Sequence, residues 1–100
     1  MYAFVLIVLL SALAPLDAQA SGDVSASEVR RLEATGQILP LQAILSKARE
    51  TKTGRVIDIE LENKNGLWIY ELELIEDSGR VWEMKINASN GALIKLKEDD

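Results

Sequence analysis

From Arg55 onward the chain alternates apolar and polar residues with a period of two, interrupted three times by turn residues. In Arg55-Val-Ile-Asp-Ile-Glu-Leu-Glu62, Ile57, Ile59 and Leu61 share one parity, and Asp58, Glu60 and Glu62 the other. In Leu67-Trp-Ile-Tyr-Glu-Leu-Glu-Leu74 the apolar parity is Trp68, Tyr70, Leu72 and Leu74, and in Arg80-Val-Trp-Glu-Met-Lys-Ile86 it is Trp82, Met84 and Ile86. Such alternation predicts strands of a sheet with one buried and one wet face. Residues 63–66 read as the first loop, so Leu61 is expected opposite Trp68, Ile59 opposite Tyr70 and Ile57 opposite Leu72, all six pointing to one side. Asp77-Ser-Gly79 reads as a three-residue loop with Gly79 in the left-handed position. Leu74 then faces Trp82, Leu72 faces Met84 and Tyr70 faces Ile86. Asn87-Ala-Ser-Asn-Gly91 forms a third turn, and residues 92–96 a short edge strand.

Ahead of the sheet the period changes to that of a helix. Ser25-Ala-Ser-Glu28 has capping-box spacing, with Glu28 placed to reach back to the Ser25 amide, and Val29 and Leu32 follow on one face. Gly36 closes this segment as a C′ residue. Pro40 suits the start of a second helix, in which Leu41, Ile44, Leu45 and Ala48 recur at i, i+3, i+4 and i+7. The predicted fold class is α+β: an N-terminal helical segment packed on one face of a three- to four-stranded antiparallel sheet.

The first thirteen residues are almost wholly apolar, and Ala18-Gln19-Ala20 fits the small-residue rule for signal-peptidase cleavage. The run is shorter than the ~20 residues a bilayer-spanning helix needs. No Lys or Arg precedes it, so either the true start lies upstream of Met1 or the signal is atypical. The expected organisation is a signal peptide over residues 1–20, a flexible spacer over 21–27, the domain over 28–96 and a solvated acidic tail over 97–100. The domain is therefore expected to be periplasmic or secreted, with membrane attachment only if the N-terminal segment stays uncleaved.

Composition narrows the chemistry. The 100 residues carry a net charge of −5 with no cysteine and no histidine. An acidic domain with scattered bases is poorly suited to nucleic acid, whose affinity comes largely from phosphate neutralisation. Without cysteine there is no disulfide or thiol chemistry, and without histidine the commonest general base and transition-metal ligand are missing. No enzyme activity, catalytic residue, metal or cofactor is expected.

The ordered series of helix, two hairpins and a closing Asn-Gly turn resembles a PepSY domain. The residues that carry the resemblance are Ile38-Leu-Pro-Leu-Gln-Ala-Ile-Leu45, Gly54-Arg-Val-Ile-Asp-Ile-Glu-Leu-Glu62, Trp68-Ile-Tyr-Glu-Leu-Glu-Leu74, Asp77-Ser-Gly-Arg80 and Ile86-Asn-Ala-Ser-Asn-Gly-Ala-Leu93. Where members usually carry an Asp-Ala-x-Thr-Gly turn, Asn87 and Asn90 replace the Asp and the Thr. The resemblance implies an extracytoplasmic, non-enzymatic module whose partner is a peptidase or a signalling protein such as a sensor kinase.

The candidate partner-binding residues lie on the wet sheet face: Asp58, Glu60, Glu62, Glu71, Glu73 and Glu83, with Ile69 beside them. The register places Lys85 opposite Glu71, a cross-strand ion pair worth about 0.2–1 kcal/mol, with like charges meeting at Glu73–Glu83 and Asp58–Glu71. Three readings of this face stand side by side: a solvated surface, a docking site for a basic partner, and an oxygen-ligand site for a divalent cation that would make the protein a cation-responsive sensor. Trp68, Tyr70 and Trp82 read as core, unless the helix is too short to cover the sheet. An uncovered aromatic strip would then serve a partner or a second copy in a homodimer, the reading of a self-associating structural envelope protein. The edge from Ala92 could accept an added peptide strand, although Lys95 and Lys97 protect it.

Overall fold

The computed structural model describes residues 24–99; the expected signal segment and cleavage site lie outside them. Two helices, α1 (Ala26–Ala34) and α2 (Leu41–Thr51), precede four strands, β1 (Arg55–Lys64), β2 (Leu67–Ile75), β3 (Val81–Asn87) and β4 (Leu93–Asp99). The strands form one antiparallel sheet in sequential order, with β1 and β4 as its edges. This is the expected α+β architecture, with four strands.

The Ser25 hydroxyl caps α1 by accepting the Glu28 N–H at 3.1 Å. The other half of the capping box does not form, because the Glu28 carboxylate turns to Arg31 one turn along. Ala26 and Ser27, expected in the spacer, are already helical. At the far end Gly36 donates to the Glu33 carbonyl and Gln37 to that of Leu32, the paired bonds of a Schellman motif. In α2, Ile44 and Ala48 are fully buried while Gln42, Lys47, Arg49 and Glu50 are exposed, as the periodicity predicts.

The core lies between helices and sheet. Leu32, Ile38, Ile44 and Ala48 meet Leu61, Tyr70, Leu72, Leu74, Met84, Ile86 and Ala88. Two features fasten the layers. The Leu39 N–H donates to Ala88 O at 2.8 Å and the Ser89 hydroxyl to Gln37 O at 2.8 Å, tying the interhelical loop to the last turn. Lys52, just past α2, pairs with Glu76 and sets its ammonium 4.2 Å from the centre of the Trp82 ring.

The second hairpin has the expected register: Leu74 faces Trp82, Leu72 faces Met84 and Tyr70 faces Ile86, with Gly79 at φ +92°. The first differs. Its loop is only Asn65-Gly66, with φ of +54° and +89°, and the ladder continues through Asn63↔Trp68 and Lys64↔Leu67. A two-residue turn with positive φ at both positions matches the right-handed twist of the strands, and Asn-Gly is the pair that tolerates it. Leu61 therefore faces Tyr70 rather than Trp68, and Ile59 faces Leu72. This slip by a whole two-residue step leaves the side chains from Asp58 to Glu62 on their expected faces. Ile57, expected opposite Leu72, is instead the extra residue of an irregularity between Val56 and Asp58. Beyond the irregularity Val56 faces the core opposite Leu74. The last strand also runs further than expected: Lys97, Glu98 and Asp99 belong to β4 and not to a loose tail.

Candidate functional site

The sheet face away from the helices gathers the charged parity of all four strands into rows. One row runs Asp58, Glu73, Glu83, Lys97, and the next Glu60, Glu71, Lys85, Lys95. A third holds Glu62, Ile69 and Asn87. The face is therefore graded: Asp58, Glu60 and Glu62 fill the middle of β1, between Arg55 and Lys64 at its ends, while Lys95 and Lys97 lie on β4 ahead of Asp99. The corrected first hairpin changes the like-charge contacts: Glu60 lies opposite Glu71, and Asp58 opposite Glu73.

All six predicted carboxylates share this surface, but they behave differently. Lys97 lies 3.9 Å from Glu83. Lys85 stands opposite Glu71, yet the expected ion pair between them does not form. Glu71 instead hydrogen-bonds with Glu83. That hydrogen bond, with partial burial and the nearby Glu62, raises the Glu71 pKa to about 7. Glu83, as the acceptor, is lowered, helped by Lys95, Lys97 and Lys85. Glu73 is raised, first by its hydrogen bond with Asp99 and then by desolvation. Among the described residues, no base lies within salt-bridge distance of Asp58, Glu60, Glu62, Glu71 or Glu73.

Carboxylate oxygens of Glu60, Glu62 and Glu71 lie within 4.8 Å of one another. Oxygen donors at that spacing could hold a hard cation, which would first have to displace the Glu71 proton. Ile69 lies on this face by parity, but Glu62 and Asn87 flank it and it is only 5% exposed, so it offers a partner almost no surface.

The helix-facing side holds what the sequence pattern does not show. Ile57 and Ile59, expected to be buried, are 47% and 37% exposed. For Ile59 the reason is the reach of the helical layer, since α2 packs on β3, two strands away; Ile57 is the extra residue of the irregularity, and Val56 takes the core-facing place opposite Leu74. The uncovered residues are thus aliphatic and lie at both edges, with Leu93 and Ile94 on β4 as exposed as the isoleucines of β1. Of the described aromatic residues, Tyr70 is buried and Trp68 and Trp82 are partly covered. Strand parity alone could not have revealed this, because it assigns a side but not the extent of the cover.

A family model described as the peptidase propeptide and YPEB domain matches residues 38–97, from the end of the interhelical loop almost to the end of β4. No curated protein and no solved structure matches the chain.

Proposed function

The chain belongs to the PepSY family, and from that premise we propose an exported, non-catalytic module that modulates a protein partner by docking. The partner class is a peptidase or the sensor part of a signalling protein in the cell envelope. The observation that carries this reading is the row of carboxylates on β1 and β2 without a cation of their own among the described residues. Such a surface is costly unless solvated or met by opposite charge, and it attracts and orients a basic partner. Catalysis is disfavoured because the chain has neither histidine nor cysteine. The carboxylates also lie open on a sheet face rather than in a water-excluding pocket. Among the described residues no helix is long and apolar enough to cross a membrane.

The test is a pull-down from envelope extract with wild-type protein and a Glu60→Lys/Glu71→Lys variant. A peptidase or sensor kinase held by the wild type and lost from the variant is the expected result. Equal retention by both proteins would move the docking site off this face. No retained protein at low or moderate salt would argue against docking altogether.

A further inference from the structure

We propose that the outer edge of β1 takes up an extended segment of a protein partner as a fifth strand, and that this segment alternates Lys or Arg with apolar residues. The proposal rests on the docking reading above and names its chemistry.

β1 is ten residues long and hydrogen-bonded to a neighbour on one side only. Its free edge is incomplete on both faces. On the helix-facing side Ile59 stands 37% exposed beside a completely buried Leu72, and the unpaired Ile57 at the neighbouring irregularity is more exposed still. On the other side Asp58, Glu60 and Glu62 have no base in reach among the described residues. Successive residues of an added strand point to opposite faces. One parity would therefore cover Ile59 while the other lies alongside Asp58, Glu60 and Glu62. Only a segment that alternates apolar and basic residues satisfies both.

The other edge is built differently. β4 also leaves Leu93 and Ile94 exposed, but Lys97 is 3.9 Å from Glu83 and Glu98 is 3.8 Å from Arg80, so much of its charge is answered within the domain. That argues against a second copy as the occupant. Contact with another β4 would also be head-to-tail, leaving a free β1 and a free β4 at the ends of an open chain. The stretch before Val24 contains no Lys or Arg and lacks the complementary charge. A separate basic partner fits best.

The probe is a fluorescein-labelled peptide, Lys-Val-Lys-Ile-Lys-Val-Lys-Ile, titrated with the full chain and followed by fluorescence anisotropy. A second peptide has the same composition with the lysines grouped at one end. Two further versions are N-methylated on alternate residues, one in each phase, which removes the backbone donors along one edge or the other. The alternating peptide should bind about tenfold more tightly than the grouped one. One N-methylated phase should lose binding while the other keeps it. Asp58→Lys/Glu60→Lys should weaken binding by about tenfold, while Glu98→Lys on β4 changes it by less than about twofold. Circular dichroism checks that the variants stay folded.

Absent binding, equal binding of alternating and grouped peptides, or indifference to both N-methylation patterns would overturn the proposal. So would concentration-dependent assembly of the chain that the peptide cannot compete away, since a second copy would then own the edge. A pull-down partner lost with Glu60→Lys/Glu71→Lys, but no peptide binding, would sink strand addition and leave docking intact. Peptide binding with the expected pattern supports strand addition whatever the extract yields.

Discussion

Replacing Glu71 with Gln should make the domain more stable at pH 8 and leave it almost unchanged at pH 5. Glu71 ordinarily titrates at 4.5 but reaches about 7 in the fold, first through its hydrogen bond to Glu83 and then through partial burial and Glu62. Between those values the folded state holds a proton that the unfolded chain has released. Stability therefore falls as pH rises through the window, and the penalty is complete above about pH 7. At about 1.36 kcal/mol per pH unit the full shift would correspond to about 3.4 kcal/mol. The side chain is only partly buried and water screens it, so about 1 kcal/mol is expected. That corresponds to roughly 4–8 °C in Tm for a domain of this size. The amide introduced by Glu71→Gln can still donate to Glu83 but adds no charge beside Glu62. Urea unfolding followed by tryptophan fluorescence at pH 5 and pH 8 measures the difference. Glu83 is shifted the other way, so its contribution is present above its ordinary pKa and lost as pH falls through its lowered one. The acid limb of the profile should therefore remain in the variant. Parallel pH profiles for wild type and Glu71→Gln between pH 5 and 8 would refute the raised Glu71 pKa.

Two stability predictions test the packing and the first turn. Ile44 is 0% exposed beneath α2, so Ile44→Ala should cost about 2–5 kcal/mol in urea unfolding; a cost below about 1 kcal/mol would mean that α2 is not the lid of the core. Gly66 has φ +89° and free space around the position of a Cβ, so Gly66→Ala tests conformation without a clash. It should lose about 1–2 kcal/mol by the same measurement, and an unchanged midpoint would argue against the two-residue turn.

Much of the architecture was legible because backbone periodicity and turn chemistry are local. Residues of one parity in a strand must share a face, and Gly79 and the Asn87–Gly91 turn mark where the chain reverses. The acidic surface was legible for the same reason: Asp58, Glu60, Glu62, Glu71, Glu73 and Glu83 alternate with apolar residues and emerge together. The first register was not, because a two-residue and a four-residue loop both preserve parity. Only the backbone conformation of Asn65 and Gly66 separates them. Glu71 was equally ambiguous: Lys85 stands across from it, but no ion pair forms between them, and Glu83 is the first cause of its raised pKa.

By itself, the sequence determined an acidic chain without thiol or imidazole chemistry, in which helices precede an antiparallel sheet with one charged face. Local propensity and the alternation of side chains are enough for that. The tertiary structure decided where the cover stops. Packing α2 on β3 buries Leu72 completely but leaves Ile59 open on the edge strand, while Ile69 is enclosed on the charged face. A hydrophobic pattern says which way a side chain points. Whether anything lies above it depends on the length and placement of another element.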